Sequence, residues 1–260
     1  MDNFTIYIFN FNSSKLELNN YYYWEEYIPK FKELKKPIPK EYHYFKKKLY
    51  NDKGKCSLFL SLRYDDLKNT SRLRINGSLK NWYFGENSKK NLTRTEYMKC
   101  IKSIARKIGV ETKTLIQAKI TKIECGITVK TNSNSSNFID NFIWYKGFER
   151  IKEKESTLYF RGKSYDLILY DKLAEIIAKS KKIRNNVVKN NFISSGNFFR
   201  FEVKVKKVSG INFYKQHANS VGKVIKNWDK ILFKTQTTFK AIEYIDMYVF
   251  KLIWTHSLKN

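Results

Sequence analysis

The sequence has 260 residues and carries 51 Lys and Arg against 24 Asp and Glu, a formal net charge of +27 at pH 7. Aromatic residues make up 16% of it, which argues against intrinsic disorder, and 42% hydrophobic residues suffice for a core. Cys56, Cys100 and Cys125 are too few and too widely spaced for a disulfide scaffold or a zinc site, so we expect reduced thiols.

The charge indicates the class of partner. Lys and Arg occur along the whole chain among aromatic residues, a pattern typical of proteins that bind a polyanion over a large surface. An anionic membrane is the weaker alternative, because a surface-binding protein concentrates its lysines on one amphipathic helix. An AT-rich coding sequence would also raise the Lys content, but it would raise the Asp and Glu content nearly as much. We therefore expect a soluble nucleic-acid-binding protein without signal peptide, membrane span or membrane partner.

The first fifty residues show no regular pattern and combine aromatic clusters with lysines and an extended Lys36-Pro37-Ile38-Pro39 connector. Two short strands are predicted at residues 56–63 and 72–79, with Asp and Asn turn residues between them. A helix is predicted next, at residues 96–108. The capping box of Thr93 and Glu96 begins it, apolar side chains recur along one stripe, and a glycine ends it.

A strand is predicted at residues 119–130, and it alternates regularly from Lys122 onward. Its apolar face carries Ile123, Cys125, Ile127 and Val129, and its polar face carries Lys122, Glu124, Gly126, Thr128 and Lys130. A loop of Thr, Asn and Ser follows at residues 131–137.

A hairpin is predicted from strands at residues 157–160 and 165–170, joined by a turn at 161–164. Asp171 is the predicted N-cap of a helix from residue 172 to about 188.

The strand with the most regular alternation follows a turn at residues 194–196. In it, Phe199, Phe201, Val203 and Val205 alternate with Arg200, Glu202, Lys204 and Lys206. From about residue 220 the pattern favours helix. Together the elements predict an α+β fold, a mostly antiparallel sheet with amphipathic helices packed on one face. The other face of each strand is polar and is expected to stay open, so chemistry is expected there.

Glu124, Glu202 and Tyr170 fall on this polar face by strand periodicity, and Lys172 follows where strand becomes helix. Two carboxylates in a basic field could hold a divalent cation, which would orient a phosphodiester for in-line attack. A tyrosine beside it is a suitable nucleophile, and a lysine would offset charge on the phosphoryl group. Each residue also has a structural interpretation: an exposed strand glutamate paired with lysine, a packing tyrosine, and a solvated lysine.

Three segments together resemble a known family. Residues 157–175 contain a strand, a small turn with Ser164, a second strand, Tyr170-Asp171-Lys172 and a helix with Glu175. Lys122-Ile123-Glu124 is similar to an "Arg-Ile-Asp" strand, and Arg200-Phe201-Glu202 to an "Arg-Phe-Glu" strand. In this order the segments resemble the rolling-circle replication initiators, which include filamentous-phage gene II proteins and plasmid transfer-type Rep proteins. The resemblance covers residues 73–211, with a weaker match at 77–81.

The resemblance implies a replication-initiator nuclease fold and an endonuclease that nicks one strand of single-stranded or supercoiled origin DNA. Its tyrosine stays joined to the 5′ phosphate and leaves a 3′ hydroxyl as primer. It implies Tyr170 as nucleophile with Lys172 in support, and Mg²⁺ or Mn²⁺ held by Glu124 and Glu202. The residues that it places on the nucleic acid are Arg161, Ser164 and Arg200, to which we add the basic neighbours Lys163 and Lys204.

The chain departs from the wider superfamily in two respects. It has no His-hydrophobe-His metal motif, since His43, His217 and His256 are isolated, and Glu124 replaces the more usual Asp. The same ligand type is retained with a longer reach.

The resemblance further implies a phage or plasmid protein of the host-cell cytosol, with a host helicase as a further candidate partner. The domains expected are an aromatic and basic extension at residues 1–50, the nicking domain at 51–215 and a helical segment at 216–260. Two alternatives remain: a non-catalytic DNA- or RNA-binding protein that stacks bases on a basic aromatic sheet, and a basic virion protein.

Overall fold

A computed structural model describes residues 3–11, 25–26, 42–65, 67–68, 70–86, 88–131, 135, 139–183 and 197–245. The chain divides into two compact units that alternate along the sequence. Unit 1 comprises residues 1–86, 92–123 and 208–228, and unit 2 comprises residues 87–91, 124–207 and 229–260. The expected domains at residues 1–50, 51–215 and 216–260 stay a prediction. The first fifty residues, expected to be irregular, nevertheless contain two strands of the sheet, Asn3–Phe9 and Tyr42–Tyr50.

The described elements confirm the α+β class. The strands are β1 (Asn3–Phe9), β2 (Glu25–Glu26), β3 (Tyr42–Tyr50), β4 (Ser57–Asp65), β5 (Thr70–Ser78), β6 (Lys119–Thr131), β7 (Phe142–Trp144), β8 (Glu149–Lys154), β9 (Thr157–Arg161), β10 (Tyr165–Asp171), β11 (Asn197–Val205) and β12 (Glu243–Tyr244). The helices are α1 (Leu79–Phe84), α2 (Arg94–Lys107), α3 (Thr112–Gln117), α4 (Lys172–Ile183), α5 (Asn212–His217), α6 (Val221–Lys226) and α7 (Trp228–Lys240). None of these helices is long and apolar enough to cross a membrane.

Unit 1 is built on antiparallel strands in the order β2-β3-β4-β5-β1-β6. Alternate side chains of its strands are buried, as strand periodicity requires: Leu60 lies opposite Ile75, which in turn lies opposite Ile6. The strands predicted at residues 56–63 and 72–79 are confirmed as β4 and β5, with one correction.

The correction concerns Leu79, which was expected to end a strand and instead begins helix α1. The side-chain oxygen of Ser78 accepts a hydrogen bond from the backbone N–H of Asn81 at 3.1 Å. A serine in this position satisfies one of the free N–H groups of a helix N-terminus, which favours helix from Leu79 onward.

Helix α2 confirms the capping box and the apolar stripe. The Thr93 hydroxyl accepts a hydrogen bond from the Glu96 N–H at 3.3 Å, while the Glu96 carboxylate accepts one from the Thr93 N–H at 2.8 Å. The stripe is buried, with Tyr97 and Ile101 among its members, so the helix covers the core of unit 1.

Strand β6 contributes residues 119–123 to unit 1 and residues 124–131 to unit 2. The register with β1 shifts along it, because Ile6 lies opposite Ile120 whereas Thr5 lies opposite Lys122. This irregularity leaves both Ile120 and Ile123 buried, although three positions separate them.

Unit 2 places the second part of β6 beside strands in the order β11-β10-β9-β8, of which the last three pairings are antiparallel. The predicted hairpin is thus confirmed as β9 and β10. The apolar side of β11 is covered by α7, since the ring centroids of Phe199 and Phe201 lie 5.8 and 4.8 Å from that of Phe239. The helix predicted from about residue 220 is confirmed as α6 and α7 as far as Lys240. Residues 243–244 form strand β12 instead, and residues 246–260 lie outside the described residues.

The open polar face expected for the site is not found in unit 2. Arg200 is 1% exposed, Glu202 7%, Lys172 7% and Glu124 9%. Helix α4 packs against β10 and β11, and its first turn brings further polar side chains to this group. The polar residues are therefore an internal cluster, because they find partners among themselves that replace water.

Some expectations lie outside the described residues. These are the aromatic clusters and the Pro37 to Pro39 connector, most of the loop at 131–137, the helix beyond Ile183 and the turn at 194–196.

Candidate active site

Tyr170 is the second-last residue of β10, two positions before Lys172, which begins the next helix. The backbone N–H of Ala174 donates to the Asp171 carboxylate at 2.9 Å, which confirms Asp171 as the N-cap of α4. Strand thus passes into helix without a connecting loop. Because the backbone is fixed on both sides of Asp171, Tyr170 and Lys172 are held by regular structure.

Tyr170 and Arg200 meet on the carboxylate of Glu202. The Tyr170 hydroxyl donates to Glu202 Oε1 at 2.9 Å, and Arg200 Nε donates to the same oxygen at 2.6 Å. Strand register accounts for the meeting, since Tyr170 lies directly opposite Arg200 and Glu202 is two residues further along the same face of β11. The sequence predicted that these residues share a face, and the structure brings them into direct contact.

Glu124 of β6 completes the cluster, because its side chain is hydrogen-bonded to that of Glu202. Burial by itself would raise the pKa of Glu202. The charge of Arg200, its hydrogen bond and those from Tyr170 and Glu124 outweigh burial, so the pKa of Glu202 lies below its ordinary value. Glu202 is therefore a buried anion with three polar partners.

The same surroundings make the Tyr170 hydroxyl a weak acid. Burial, followed by the negative charges of Glu202 and Glu175, raises the pKa of Tyr170 far above its ordinary value. Its proton is held in the hydrogen bond to Glu202. Deprotonation of Tyr170 therefore requires additional positive charge near its oxygen.

Lys172 supplies a second cation near the tyrosine. Its Nζ lies 5.7 Å from the centroid of the Tyr170 ring and forms an ion pair with Glu175, one turn further along α4. Lys172 is buried, whereas Glu175 is half-buried. Sequence periodicity could not fix the direction of Lys172; the first turn of α4 directs it to the tyrosine.

Three residues of the cluster were not predicted as site residues: Thr128, Asn91 and Glu175. The Thr128 hydroxyl accepts a hydrogen bond from Arg200 Nη1. The side chain of Asn91 accepts from the Thr128 N–H at 2.9 Å and donates to the Thr128 carbonyl at 3.1 Å. Thr128 was assigned to the polar face of its strand, which is a signal for its place, whereas no local pattern marks Asn91.

The residues predicted to contact nucleic acid differ in accessibility. Lys163 and Lys204 are exposed, and Ser164 is half-buried at the hairpin turn. Arg161 is paired with Glu153 at 2.6 Å and lies over the Tyr159 ring at 4.4 Å. Arg200 is buried in contact with Glu202 and Thr128, so its position is that of a residue that orients the cluster.

Among the described residues, no group of three or more His, Cys, Asp and Glu side chains could hold a metal ion. Glu124 and Glu202 form a pair of neighbouring buried carboxyl groups. Mg²⁺ often binds one or two carboxylates and takes its other ligands from water and substrate phosphate. The pair fits a cation of that kind.

Comparison with known proteins identifies the family. The model of the family described as the N-terminal part of the phage replication-associated protein of gene II matches residues 40–224, which is well over half of the chain. The matched segment includes Glu124, Tyr170, Lys172 and Glu202. A search of curated proteins finds no match.

Proposed function

The chain belongs to the family of phage gene II replication-associated proteins, and on this premise we propose that it nicks one strand of origin DNA through a phosphotyrosine intermediate. The observation that carries the proposal is the 2.9 Å hydrogen bond from the Tyr170 hydroxyl to Glu202, inside a cluster of opposite charges. A carboxylate within hydrogen-bond distance of a tyrosine hydroxyl can accept its proton when the oxygen acts as a nucleophile.

In the proposed reaction, Tyr170 Oη attacks the phosphorus of a phosphodiester and its proton passes to Glu202. The bond from phosphorus to the 3′ oxygen breaks as the bond to Oη forms, so the downstream strand becomes joined to Tyr170 by its 5′ phosphate. The free 3′ hydroxyl, protonated from Lys172 or solvent, serves as primer. Because the phosphotyrosine is an ester like the bond it replaces, the strand can be rejoined.

The charged residues have separate proposed roles. Arg200 holds Glu202 in the position where it receives the tyrosine proton. Lys172 offsets negative charge on the phosphoryl group, which requires that it share or leave its contact with Glu175. A divalent cation bound by Glu124 and Glu202 would polarise the scissile phosphate and supply the positive charge that Tyr170 needs for deprotonation.

The substrate that we propose is single-stranded or supercoiled DNA of the phage replicon, in the cytosol of the host. A host helicase that extends the nicked region is a proposed partner. The exposed Lys163 and Lys204 are proposed to hold the strand, with Ser164 and Arg161 at the same hairpin end.

The test is a covalent-adduct assay on DNA from the replicon that encodes the chain, with Mg²⁺ or Mn²⁺ and with EDTA. A 3′ label should become attached to the wild-type protein, whereas a 5′ label should leave on a free fragment. Tyr170→Phe should abolish the adduct and leave DNA binding intact, because it removes one oxygen atom.

Tyr159→Phe is the matched control, since Tyr159 occupies the same face of the neighbouring strand and lies diagonally from Tyr170. It should retain the adduct. An adduct formed by Tyr170→Phe would remove Tyr170 as nucleophile. A wild-type protein that binds the strand and never cuts it in either metal would support the non-catalytic alternative.

A further inference from the structure

The solvent side of the unit 1 sheet carries a row of arginines beside exposed aromatic rings. Leu58, Leu60 and Leu62 of β4 point to the core, so the residues between them point away from it. We name this surface the basic aromatic face and define it by Tyr7, Phe9, Phe59, Arg63, Arg72 and Arg74. None of these residues belongs to the candidate active site.

The arginines of this face repel one another. Arg63 lies directly opposite Arg72 in the pairing of β4 and β5, and like charges in that position destabilise a sheet. Burial, followed by the charge of Arg63, lowers the pKa of Arg72. A sheet that keeps this arrangement gains stability when an anion lies over it.

Their hydrogen-bonding capacity is also partly unused within the part of the chain that the structure describes. No ion pair joins Arg63, Arg72 or Arg74 to a described carboxylate, and Nε of Arg63 and of Arg74 are buried without a hydrogen-bond acceptor there. Guanidinium groups bind phosphate oxygens through two parallel N–H donors. A phosphate group would therefore be a suitable anionic partner for these arginines.

The aromatic residues favour a polyanion that carries flat rings. Phe9 is 53% exposed and Phe59 54% exposed. Arg72 lies over the Tyr7 ring at 4.7 Å. Exposed rings and stacked guanidinium planes are the surfaces on which the bases of single strands stack.

We propose that the basic aromatic face binds single-stranded DNA, with phosphates on Arg63, Arg72 and Arg74 and bases on Phe9 and Phe59. From the sequence, a sheet that stacks bases was an alternative to the nicking enzyme. In the structure, the residues of the basic aromatic face belong to unit 1 and those of the candidate active site belong to unit 2. The DNA identity of the strand rests on the proposed function, whereas the binding surface does not. An anionic membrane is a less suitable ligand, because lipid headgroups have no aromatic rings that could stack on the phenylalanine rings and guanidinium groups of this face.

The first test uses a fluorescent single-stranded oligo(dT) probe in EDTA, so that cutting is not required. The double variant Arg63→Gln with Arg72→Gln should bind at least about tenfold more weakly near 0.1 M salt, because two phosphate contacts are lost. The slope of log Kd against log salt should fall by roughly 1.4, at about 0.7 per contact for a single strand. Removal of opposed like charges should not lower the Tm.

Arg106→Gln is the matched control, since Arg106 is an exposed arginine of unit 1 that is paired with Asp52. It should bind as the wild type does. Equal loss in this control, or wild-type binding by the double variant, would overturn the proposal. So would cosedimentation with anionic vesicles that the double variant abolishes while its binding to oligo(dT) is unchanged.

The second test separates stacking from charge. Phe59→Ala should weaken binding at least about fivefold without changing the salt slope, because base stacking carries no counterion release. Phe233→Ala removes a 66% exposed phenylalanine of unit 2 and should have little effect. Unchanged binding by Phe59→Ala would remove the stacking role.

The two proposals fail separately. If the wild type forms no adduct but the double variant loses binding to oligo(dT), the nicking function is wrong and the basic aromatic face stands. If Tyr170 forms the adduct but the double variant binds normally, the opposite holds.

Discussion

Arg200 pairs with the central carboxylate of the candidate site, that of Glu202. Its guanidinium is buried beside the Glu202 carboxylate, and a buried charge is tolerated where it is paired and hydrogen-bonded. Two nitrogen atoms of the guanidinium donate hydrogen bonds: Nε to Glu202, and Nη1 to the Thr128 hydroxyl on the neighbouring β6. The arginine predicted to touch phosphate is thus placed to fix the position of Glu202, which accepts the tyrosine proton in the proposed reaction.

Replacement of Arg200 by methionine tests this role. Arg200→Met would leave Glu202 buried without its cation, and we expect a loss of about 3–5 kcal/mol in the free energy of unfolding, measured by urea denaturation. Lys204→Met is the control, because Lys204 is an exposed residue further along the same strand face, and it should change stability by less than about 0.5 kcal/mol. Equal stability of wild type and Arg200→Met would show that the pair contributes nothing.

At the element scale, two consecutive lysines of strand β3 lie on opposite sides of the sheet and differ in burial. Lys47 lies opposite Leu60, which faces the core, whereas Lys48 lies opposite Phe59 on the basic aromatic face. Burial lowers the pKa of Lys47 to about 8. The protonated Lys47 side chain therefore lowers the free energy of unfolding at neutral pH.

The pH dependence of this cost has a definite sign. Below about pH 8, Lys47 is protonated in both states and the folded state carries the full cost. Between about pH 8 and 10.5 the folded protein releases the proton first, so the free energy of unfolding rises with pH.

Lys47→Met should thus stabilise the protein at pH 7 by roughly 1 kcal/mol or less, since solvent screens part of the cost. The advantage over wild type should shrink as the pH approaches 10, which thermal unfolding at several pH values would measure. Lys48→Met is the control and should give a small difference with no such trend. The assignment would be contradicted if the stability gain of Lys47→Met over wild type were smaller at pH 7 than at pH 10.

At the scale of the whole molecule, the two units each enclose a core that contains at least one thiol. Cys56 and Cys100 belong to unit 1 and Cys125 to unit 2, and all three are buried. Burial raises the pKa of Cys100 to about 12 and that of Cys125 to about 11, and it raises the pKa of Cys56.

Iodoacetamide at pH 8 should therefore leave all three thiols unmodified in the native protein and alkylate all three in concentrated urea. The thiolate is the reacting form, and both burial and the raised pKa keep its concentration low. Mass spectrometry of peptides would report each position. Rapid native modification of Cys125 with protection of Cys100 would mean that unit 2 opens while unit 1 stays closed.

The net charge of +27 is distributed with a clear division of roles in the described residues. Exposed basic residues such as Lys163 and Lys204 face solvent in unit 2, and opposed arginines line the basic aromatic face of unit 1. The few acids of the candidate site are buried next to cations. Attraction of a polyanion is thereby spread over the surface, whereas the proposed chemistry depends on two buried carboxylates.

Local sequence determined the elements and the family. The capping box fixed the start of α2, alternation fixed the faces of β10 and β11, and the Asp171 N-cap placed Tyr170 and Lys172 on either side of a strand-to-helix junction. These features depend on residues within a few positions of one another, so a single sequence contains the information. The serine cap that makes Leu79 a helix residue is likewise a local signal in the sequence.

Tertiary structure alone decided which side chains meet. Contact between Tyr170 and Glu202, the hydrogen bond of Glu202 with Glu124, and the opposition of Arg63 and Arg72 all depend on which strands are neighbours and in what register. Periodicity assigns a residue to a face but does not say what covers that face. For this reason the site was expected to be open, and it is instead a buried cluster that contains both positive and negative side chains.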